Sequence, residues 1–383
     1  MRSAALGSVV WLVAGLGACH PAVDAPAPTP SPPKVESTPP SAPESWVGSI
    51  TTTFAIPCFA PGLVQDGKPA TCELSAVTTL DAEAVAFNDK PIDGPERSAA
   101  LRFDPRSPST PIYLDGATFA QFRKYEDAAA LPGGEVLVTT GFDRIRDDAQ
   151  WDPFNALFVW VPGRPVRLLA ASTRDGIRSS RTLRDALQRA LADETTPDGP
   201  PYFKVEGLAV TAEGEVLIGI REAGRTYEDF SYRVTILVSA SVDALDAGKI
   251  DHGWDGDPEP DGLTHPLGLS SLGQDHARGG TWLTTSYEKG ETDEALGGYL
   301  WWLSDEARRA GAPAVLVRDA AGEPLHFAHK PEGVTVLDGD HLLVVHDDDR
   351  VTGRPAEQIS DPTRQFARGL HESFAQIVAV SGS

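Results

Sequence analysis

The chain has 383 residues, with 33 Lys and Arg against 55 Asp and Glu, and a formal net charge of −22 at pH 7. So large an excess of acid argues against a nucleic-acid-binding protein and against adhesion to anionic lipid through surface charge. It favours solubility and the binding of cations.

The first 18 residues are typical of an export signal, with Arg2 at the positive start and an apolar run too short to span a bilayer. The run ends in Leu-Gly-Ala-Cys at residues 16–19, which resembles the lipobox of bacterial lipoproteins. The resemblance implies that residues 1–18 are removed and that Cys19 carries the lipid anchor. An ordinary secretory signal that contains a cysteine by chance is the alternative.

The position after the cysteine is His20 rather than Asp, which by resemblance to the usual sorting rule favours the outer membrane over other parts of the cell envelope. We therefore expect a periplasmic or surface-exposed protein that contacts the membrane through its lipid anchor only. Residues 19–45 contain the lipidated cysteine and a stretch of Pro, Ala, Ser and Thr, which predicts an extended, disordered spacer. One folded domain is predicted over residues 46–383.

Two further cysteines, Cys58 and Cys72, lie close in sequence beside the first predicted strand. In an oxidising compartment such a pair favours a disulfide bond that closes a loop. The alternative is a zinc site, which two cysteines without a nearby pair of histidines serve poorly.

A repeated pattern organises the domain: an acidic residue, a short apolar strand, a tight turn and a second strand rich in Val, Leu and Ile. Four copies begin at Glu73, Glu126, Glu206 and Glu332, and a fifth from Leu267 keeps the hairpin but lacks the acid. Gly-Gly, Glu-Gly and Asp-Gly turns predict that each copy is an antiparallel hairpin, and third strands follow several of them.

Repeats of about 50–80 residues that each form a small antiparallel sheet indicate an all-β fold, the β-propeller. Five repeats are visible, and the terminal strands at 50–56 and 375–380 either complete a sixth blade or close a ring of five. A helix predicted over Ser179–Asp193 is apolar on one face and is interpreted as an insertion packed on the propeller. A two-sheet sandwich is the alternative architecture.

The Glu-Gly-Leu-Ala segment at residue 206 and the Lys-Pro-Glu-Gly-Val segment at residue 330 are each followed by a hairpin. These segments resemble the phytase-like (esterase-like) β-propeller domain and are still more similar to its relatives in the domain of unknown function 3616 family. The resemblance spans residue 46 to the C-terminus through four short motifs, and it implies the propeller fold. An enzyme of this kind would be a metal-assisted hydrolase of the phosphatase, phytase or lactonase type. The sequence contains no Gly-x-Ser-x-Gly, His-Glu-x-x-His, Cys-x-x-Cys or P-loop motif, which disfavours serine esterases, zincin proteases, thiol redox enzymes and P-loop NTPases.

The starts of the innermost strands of a propeller crowd together near its axis, so the repeat predicts a ring of carboxylates at one mouth of the channel. These acids are Glu73, Glu126, Glu206 and Glu332. Three of them follow a lysine by two residues, and because strand side chains alternate, each lysine projects to the same side as its glutamate. The lysines are Lys124, Lys204 and Lys330.

Two interpretations of this ring compete. In the first, the lysines and glutamates only neutralise one another inside the fold. In the second, the carboxylates hold a hard cation such as Ca²⁺, and the lysines receive an anionic ligand or stabilise charge that develops during hydrolysis.

A second acidic set is predicted where the second strands of the hairpins end, with basic neighbours. Because an antiparallel strand returns to the level at which its partner starts, both sets should meet at one face. The acids of this set are Asp89, Asp143, Glu222 and Asp347-Asp348-Asp349, among which Asp347 and Asp348 are the best candidates for a cation contact. Either His329 or His346 is a candidate general base, and a loop histidine that is only hydrogen-bonded is the alternative.

The sequence therefore favours a cell-envelope lipoprotein propeller that binds Ca²⁺ and a small anionic ligand, such as a phosphate ester, at the channel mouth. The competing hypothesis is a non-catalytic propeller that binds a protein or glycan partner through its loops.

Overall fold

The computed structural model describes residues 45–65, 67–90, 92, 98–107, 111–144, 148–288, 296–347 and 368–382. The predicted signal peptide, Cys19 and the linker up to residue 44 lie outside the described residues, as do Asp348 and Asp349. None of the described helices has the length and apolar character needed to cross a membrane.

Five antiparallel sheets form the blades of a β-propeller. The chain opens with β1 (Trp46–Pro57) and a small hairpin of β2 (Val64–Gln65) and β3 (Lys68–Pro69). Blade 1 consists of β4 (Leu74–Leu80), β5 (Glu83–Asn88), β6 (Ala100–Phe103) and β7 (Ile112–Leu114). Helix α1 (Gly116–Phe119) leads into blade 2, which consists of β8 (Tyr125–Leu131), β9 (Glu135–Thr140), a 3₁₀ helix (Ala149–Phe154), β10 (Leu157–Trp160) and β11 (Arg167–Leu168).

A second small hairpin and a helix separate blades 2 and 3; they are β12 (Ser172–Arg174), β13 (Ile177–Ser179) and α2 (Arg181–Ala190). Blade 3 consists of β14 (Tyr202–Val210), β15 (Val216–Thr226), β16 (Asp229–Ser239), α3 (Val242–Asp246) and β17 (Asp251–Asp255). Blade 4 consists of β18 (Gly268–Asp275), β19 (Gly280–Glu288), β20 (Leu296–Ser304), α4 (Asp305–Ala310), β21 (Val315–Leu316) and β22 (His326–Phe327). Blade 5 consists of β23 (Pro331–Asp338), β24 (His341–His346), β25 (Glu372–Gly382) and, as its outermost strand, β1.

The two ends of the domain close the ring within blade 5. Strand β1 pairs antiparallel with β25 from Trp46 opposite Gly382 to Pro57 opposite Glu372, so the terminal strands close a ring of five blades. A disulfide bond joins Cys58, directly after β1, to Cys72, directly before blade 1, with the two Cα atoms 5.8 Å apart. It fastens the closing strand to the first blade.

The inserted helix is present and shorter than predicted, since α2 begins at Arg181 and ends at Ala190. Its Leu183 and Leu187 lie in the hydrophobic core shared with Phe203 of blade 3. The buried Arg184 donates to the backbone oxygens of Phe142 and Pro201 at 3.1 and 2.9 Å. The helix therefore packs on blades 2 and 3, as the apolar face predicts.

Glycines after two of the repeat glutamates let neighbouring inner strands approach closely. A Cβ atom at Gly207 would lie 2.7 Å from the side chain of Leu269, and one at Gly333 would lie 3.0 Å from the backbone nitrogen of Val77. The glycine of the Glu-Gly motif is thus explained by the packing of blades around the axis.

Asp127 ties the inner strands of several blades together. Its carboxylate is fully buried and accepts hydrogen bonds from the backbone N–H of Leu208 at 2.7 Å and of Leu272 at 3.1 Å. The Ser271 hydroxyl also donates to it, at 3.1 Å, and itself accepts from the backbone N–H of Val334 at 3.0 Å. One carboxylate of blade 2 therefore links blades 3 and 4 directly and reaches blade 5 through a hydroxyl.

We expect the substitution Asp127→Ala to lower the free energy of unfolding by at least about 3 kcal/mol, because several buried donors lose their acceptor together. Urea denaturation checks this, with Asp198→Ala as the control, since Asp198 is exposed and lies outside the blades. A variant that unfolds within about 0.5 kcal/mol of the wild type would contradict this role of Asp127.

Candidate functional site

Each inner strand carries a β-bulge near its start, where the pairing with the second strand of the blade skips one residue. The skipped residues are Ser75, Glu126, Glu206, Ser270 and Glu332. A bulged residue is left unpaired and its side chain is re-aimed, here towards the axis. One carboxylate oxygen from each of the three glutamates lies within 4.8 Å of the other two.

The register corrects the predicted position of Glu73. The bulge of blade 1 falls on Ser75, so Glu73 stands two residues earlier, at the level of Lys124 in blade 2. Its carboxylate pairs with the ammonium group of Lys90 and accepts a hydrogen bond from the Thr71 hydroxyl. A shift of two residues preserves strand alternation, so the sequence pattern does not reveal it.

Each of the three predicted lysines contacts the glutamate two residues later. The pairs are Lys124 with Glu126 at 2.7 Å, Lys330 with Glu332 at 2.8 Å, and Lys204 with Glu206. Lys204 also lies 3.3 Å from Oε1 of Glu126, so its ammonium group links blades 2 and 3. The three glutamates are buried, whereas the lysine side chains keep 17%, 12% and 10% exposure in chain order.

Arg221, in the middle of β15, occupies the position in this ring where blade 4 has no lysine and no acid. Its Nη1 donates to the hydroxyls of Ser270 and Ser286 at 2.8 and 2.6 Å and lies 3.6 Å from Oε1 of Glu332. Gly268 occupies the lysine level of blade 4, where a Cβ atom would lie 2.6 Å from the Cγ of Arg221. The fifth repeat therefore accommodates a cation from its neighbour in place of its own lysine and acid. The sequence analysis did not predict this role of Arg221.

A cavity of about 520 Å³ opens above the glutamates, and charged side chains from both predicted sets line it. The basic ones are Lys90, Arg123, Lys124, Arg144, Lys204 and Lys330. The acidic ones are Asp89, Glu126, Glu288, Glu332 and Asp347. The ends of the second strands thus meet the starts of the first ones, as antiparallel pairing requires.

Two of the other predicted site residues, Asp143 and Glu222, lie next to the lysines that line this cavity, the first near Lys124 and the second opposite Lys204 in the sheet. Asp143 is 3.9 Å from Lys124, and Glu222 accepts a hydrogen bond from the Tyr202 hydroxyl at 2.5 Å. The buried His329 packs against Phe374, with 4.5 Å between ring centroids, and it is not among the described side chains that line the cavity. Asp348 falls outside the described residues.

Burial and mutual repulsion set the protonation of the three glutamates. Burial raises the pKa of Glu126 to about 7 and that of Glu332 to about 8, and the neighbouring Glu206 adds to both shifts. Burial also acts on Glu206, but Lys204, Arg221, Lys330 and Lys124 outweigh it and lower the pKa of Glu206 to about 2.

The lysines of the ring stay charged. Burial disfavours the ammonium form of Lys204, but Glu126 and Glu206 outweigh burial and raise its pKa well above the usual value. Glu288 and Glu332 do the same for Lys330. Near neutral pH the ring therefore holds full positive charges and only part of its negative ones.

No protein-family model matches the chain, and no curated protein matches it. Among solved structures it is similar to the PQQ-bound form of aldose sugar dehydrogenase from Streptomyces coelicolor, with 13% identity, a TM-score of 0.39, and coverage of 89% of this chain and 100% of that one. It is also similar to a luciferin-regenerating enzyme, with 8% identity, a TM-score of 0.35, and coverage of 82% and 92%. Similarity at this level identifies neither a family nor a function. The propeller fold that the phytase-like resemblance implies is confirmed, and membership of the domain of unknown function 3616 family stays a prediction.

We expect the two raised pKa values to make stability depend on pH. Folded Glu126 and Glu332 keep protons that the unfolded chain releases near the ordinary value of 4.5. Their contribution to the free energy of unfolding is complete below pH 4.5 and is lost as the pH rises through about 7 for Glu126 and about 8 for Glu332.

Urea denaturation in metal-free buffer, from about pH 5 to about pH 9, covers the range in which these groups titrate. It measures the loss in the free energy of unfolding. The substitution Glu332→Gln should flatten the decline, whereas Glu306→Gln, at an exposed position of α4, should leave it unchanged. An equal slope in the wild type and Glu332→Gln would show that Glu332 does not titrate in this range.

Proposed function

We propose that the propeller binds a small anionic ligand, such as a phosphate ester, in the cavity at its channel mouth, and that it does so as a lipid-anchored protein of the cell envelope. The proposal depends on the six basic side chains that meet five acidic ones around one cavity in a chain of net charge −22, with burial holding a proton on part of those acids near neutral pH. In so acidic a protein, basic groups that converge on one cavity create a local positive potential that attracts an anionic ligand.

The buried glutamates support this proposal because they hold the lysines in place. Three lysines line the cavity, and the ammonium group of each is held by the carboxylate of the glutamate two residues later. They are Lys124, Lys204 and Lys330. Positive groups that are already oriented lose little further freedom when they bind an anion, so affinity gains from the arrangement. The cavity volume of about 520 Å³ suits a small molecule.

We expect isothermal titration calorimetry to detect binding of inorganic phosphate or glycerol phosphate to the protein. Lys124→Gln should weaken it about tenfold or more, since a charge-assisted hydrogen bond is lost. Arg144→Gln at the more exposed rim should have a smaller effect, and Lys249→Gln, an exposed lysine outside the cavity, should have none.

Circular dichroism shows whether each variant keeps its fold. Absence of binding by the wild-type protein to phosphate, phosphate ester and citrate would overturn the proposal. Such a result would favour the alternative of a scaffold that binds a protein or glycan through its loops.

A Ca²⁺ ion held by the three glutamates is a second candidate, favoured by the convergence of their oxygens within 4.8 Å. Calcium–oxygen distances of about 2.3–2.6 Å would allow one ion to contact Glu126, Glu206 and Glu332 together. One oxygen of Glu206, Oε2, is buried and accepts no hydrogen bond from the described residues. Such an ion would polarise a phosphoryl or carbonyl oxygen, and the lysines would stabilise the negative charge that develops in a hydrolysis.

The lysines also oppose this candidate, because they already contact Oε1 of all three glutamates and would repel an ion held beside them. Elemental analysis of protein purified without chelator decides the matter. One calcium per chain that is lost in Glu206→Gln would support the metal site and justify assays with phosphate esters and lactones. No bound calcium, together with a melting temperature that calcium and chelator leave unchanged, would exclude it.

A further inference from the structure

A second cleft, of about 390 Å³, lies between the outer strands of blades 3 and 4 and shares no lining residue with the channel mouth. Two tryptophans form part of its wall: Trp254 on β17 and the half-buried Trp301 on β20. Both belong to the hydrophobic core between these blades, so the cleft is built on rigid elements of the fold.

Hydrogen bonds fix both indole rings. Nε1 of Trp254 donates to the backbone oxygen of Ala312 at 2.8 Å, and Nε1 of Trp301 donates to the Thr285 hydroxyl at 2.9 Å. With their N–H groups used, the rings line the cleft with carbon atoms, and the half-buried Trp301 exposes more of them than the buried Trp254. Gly256 makes room for Trp254, since a Cβ atom there would lie 2.6 Å from Cη2 of the indole.

The ionisable side chains that line this cleft are acidic, and one of them, Asp255, has a partner outside the lining, since Nε2 of His252 lies 3.0 Å from its Oδ2. The ionisable lining residues of the cleft are Asp255, Asp257 and Asp261, with no Lys, Arg or His among the described residues that line it. Two of these carboxylates are oriented by neighbours: Asp255 accepts from the Thr235 hydroxyl at 2.6 Å, and Asp257 accepts from the backbone N–H of Glu259 at 2.8 Å.

We propose that this cleft binds an organic cation, an ammonium or guanidinium group of the size of a lysine or arginine side chain. Indole faces attract such a cation through their π-electrons, and carboxylates at the rim complete its recognition. A neutral sugar would also stack on the indoles, but it would leave the charges of Asp257 and Asp261 unneutralised. A cation neutralises them, and the acidic lining therefore favours it.

Calorimetric titration of the full-length protein with N-acetylarginine amide tests the proposal, with N-acetylcitrulline amide as a neutral probe of nearly the same shape. We expect the arginine probe to bind at least about tenfold more tightly than citrulline and to lose affinity as salt is raised. The double substitution Asp257→Asn/Asp261→Asn should weaken arginine binding on the order of fivefold to tenfold, while Asp198→Asn, which removes an exposed acid elsewhere, should leave it unchanged.

Three results would overturn the cation site: equal affinity for arginine and citrulline probes, undiminished arginine binding in the double variant, or no binding of either probe. Binding of a methyl glucoside or cellobiose that the double variant retains, with no arginine binding, would assign the cleft to neutral sugars instead. Lys124→Gln should not alter arginine binding, which separates this site from the anion site at the channel mouth.

Discussion

The convergence of five inner strands on one axis is the constraint on which the rest of the molecule depends. Near that axis a side chain must be small, or it must have its polar atoms satisfied, because water is largely excluded. Gly207 and Gly333 meet the first condition by letting neighbouring strands approach. Asp127 meets the second, since backbone N–H groups of blades 3 and 4 and one serine hydroxyl satisfy its carboxylate. The bulges give the strands a way to place larger groups there, because the extra residue leaves the ladder and turns towards the channel.

The composition of the bulge positions follows from the cost of burying charge. Carboxylates from all five blades would require as many cations within a few ångströms, and the ring instead has serine in blades 1 and 4. The guanidinium of Arg221 lies next to Ser270 and interacts with two glutamates, with Nε 3.9 Å from Oε1 of Glu206 and Nη1 3.6 Å from Oε1 of Glu332. The remaining imbalance is relieved by protons, since burial raises the pKa of Glu332 to about 8 while the pKa of Glu206 falls to about 2. The ring is therefore a shared set of charges rather than separate ion pairs, and removal of one member affects all the others.

The repeated hairpin predicted the propeller, the inner strands and the Lys-Glu pairs, because these depend on alternation and turn chemistry within one segment. The count of blades depended on β1 pairing with β25 across the whole chain, and no local pattern reports such a pairing. Glu73 was aligned with the wrong position because the bulge, here at Ser75, depends on the register between strands. The roles of Arg221 and Asp127 were not predicted for a related reason, since both form hydrogen bonds with neighbouring blades. Their partners there, Ser270, Leu208 and Leu272, belong to no recognisable sequence motif.

The two ends of the channel differ because the bulges that all five inner strands share lie near only one of them. At the other end the inner strands keep a regular register apart from one shift between Val336 and Asp338 of β23. A cavity of about 280 Å³ at that end is lined largely by threonine, alanine, leucine and valine side chains, among them Thr78, Ala128 and Leu208. The end with the bulges also receives the exits of the second strands, which bring Asp89, Lys90, Arg144 and Asp347 to the cavity. Because the shared bulges lie at one level, the same repeated hairpin produces a polar channel mouth at one end and a nearly neutral one at the other. Because electrostatic fields concentrate in a cleft with low-dielectric walls, a charged ligand would be drawn to the first mouth and gain little at the second.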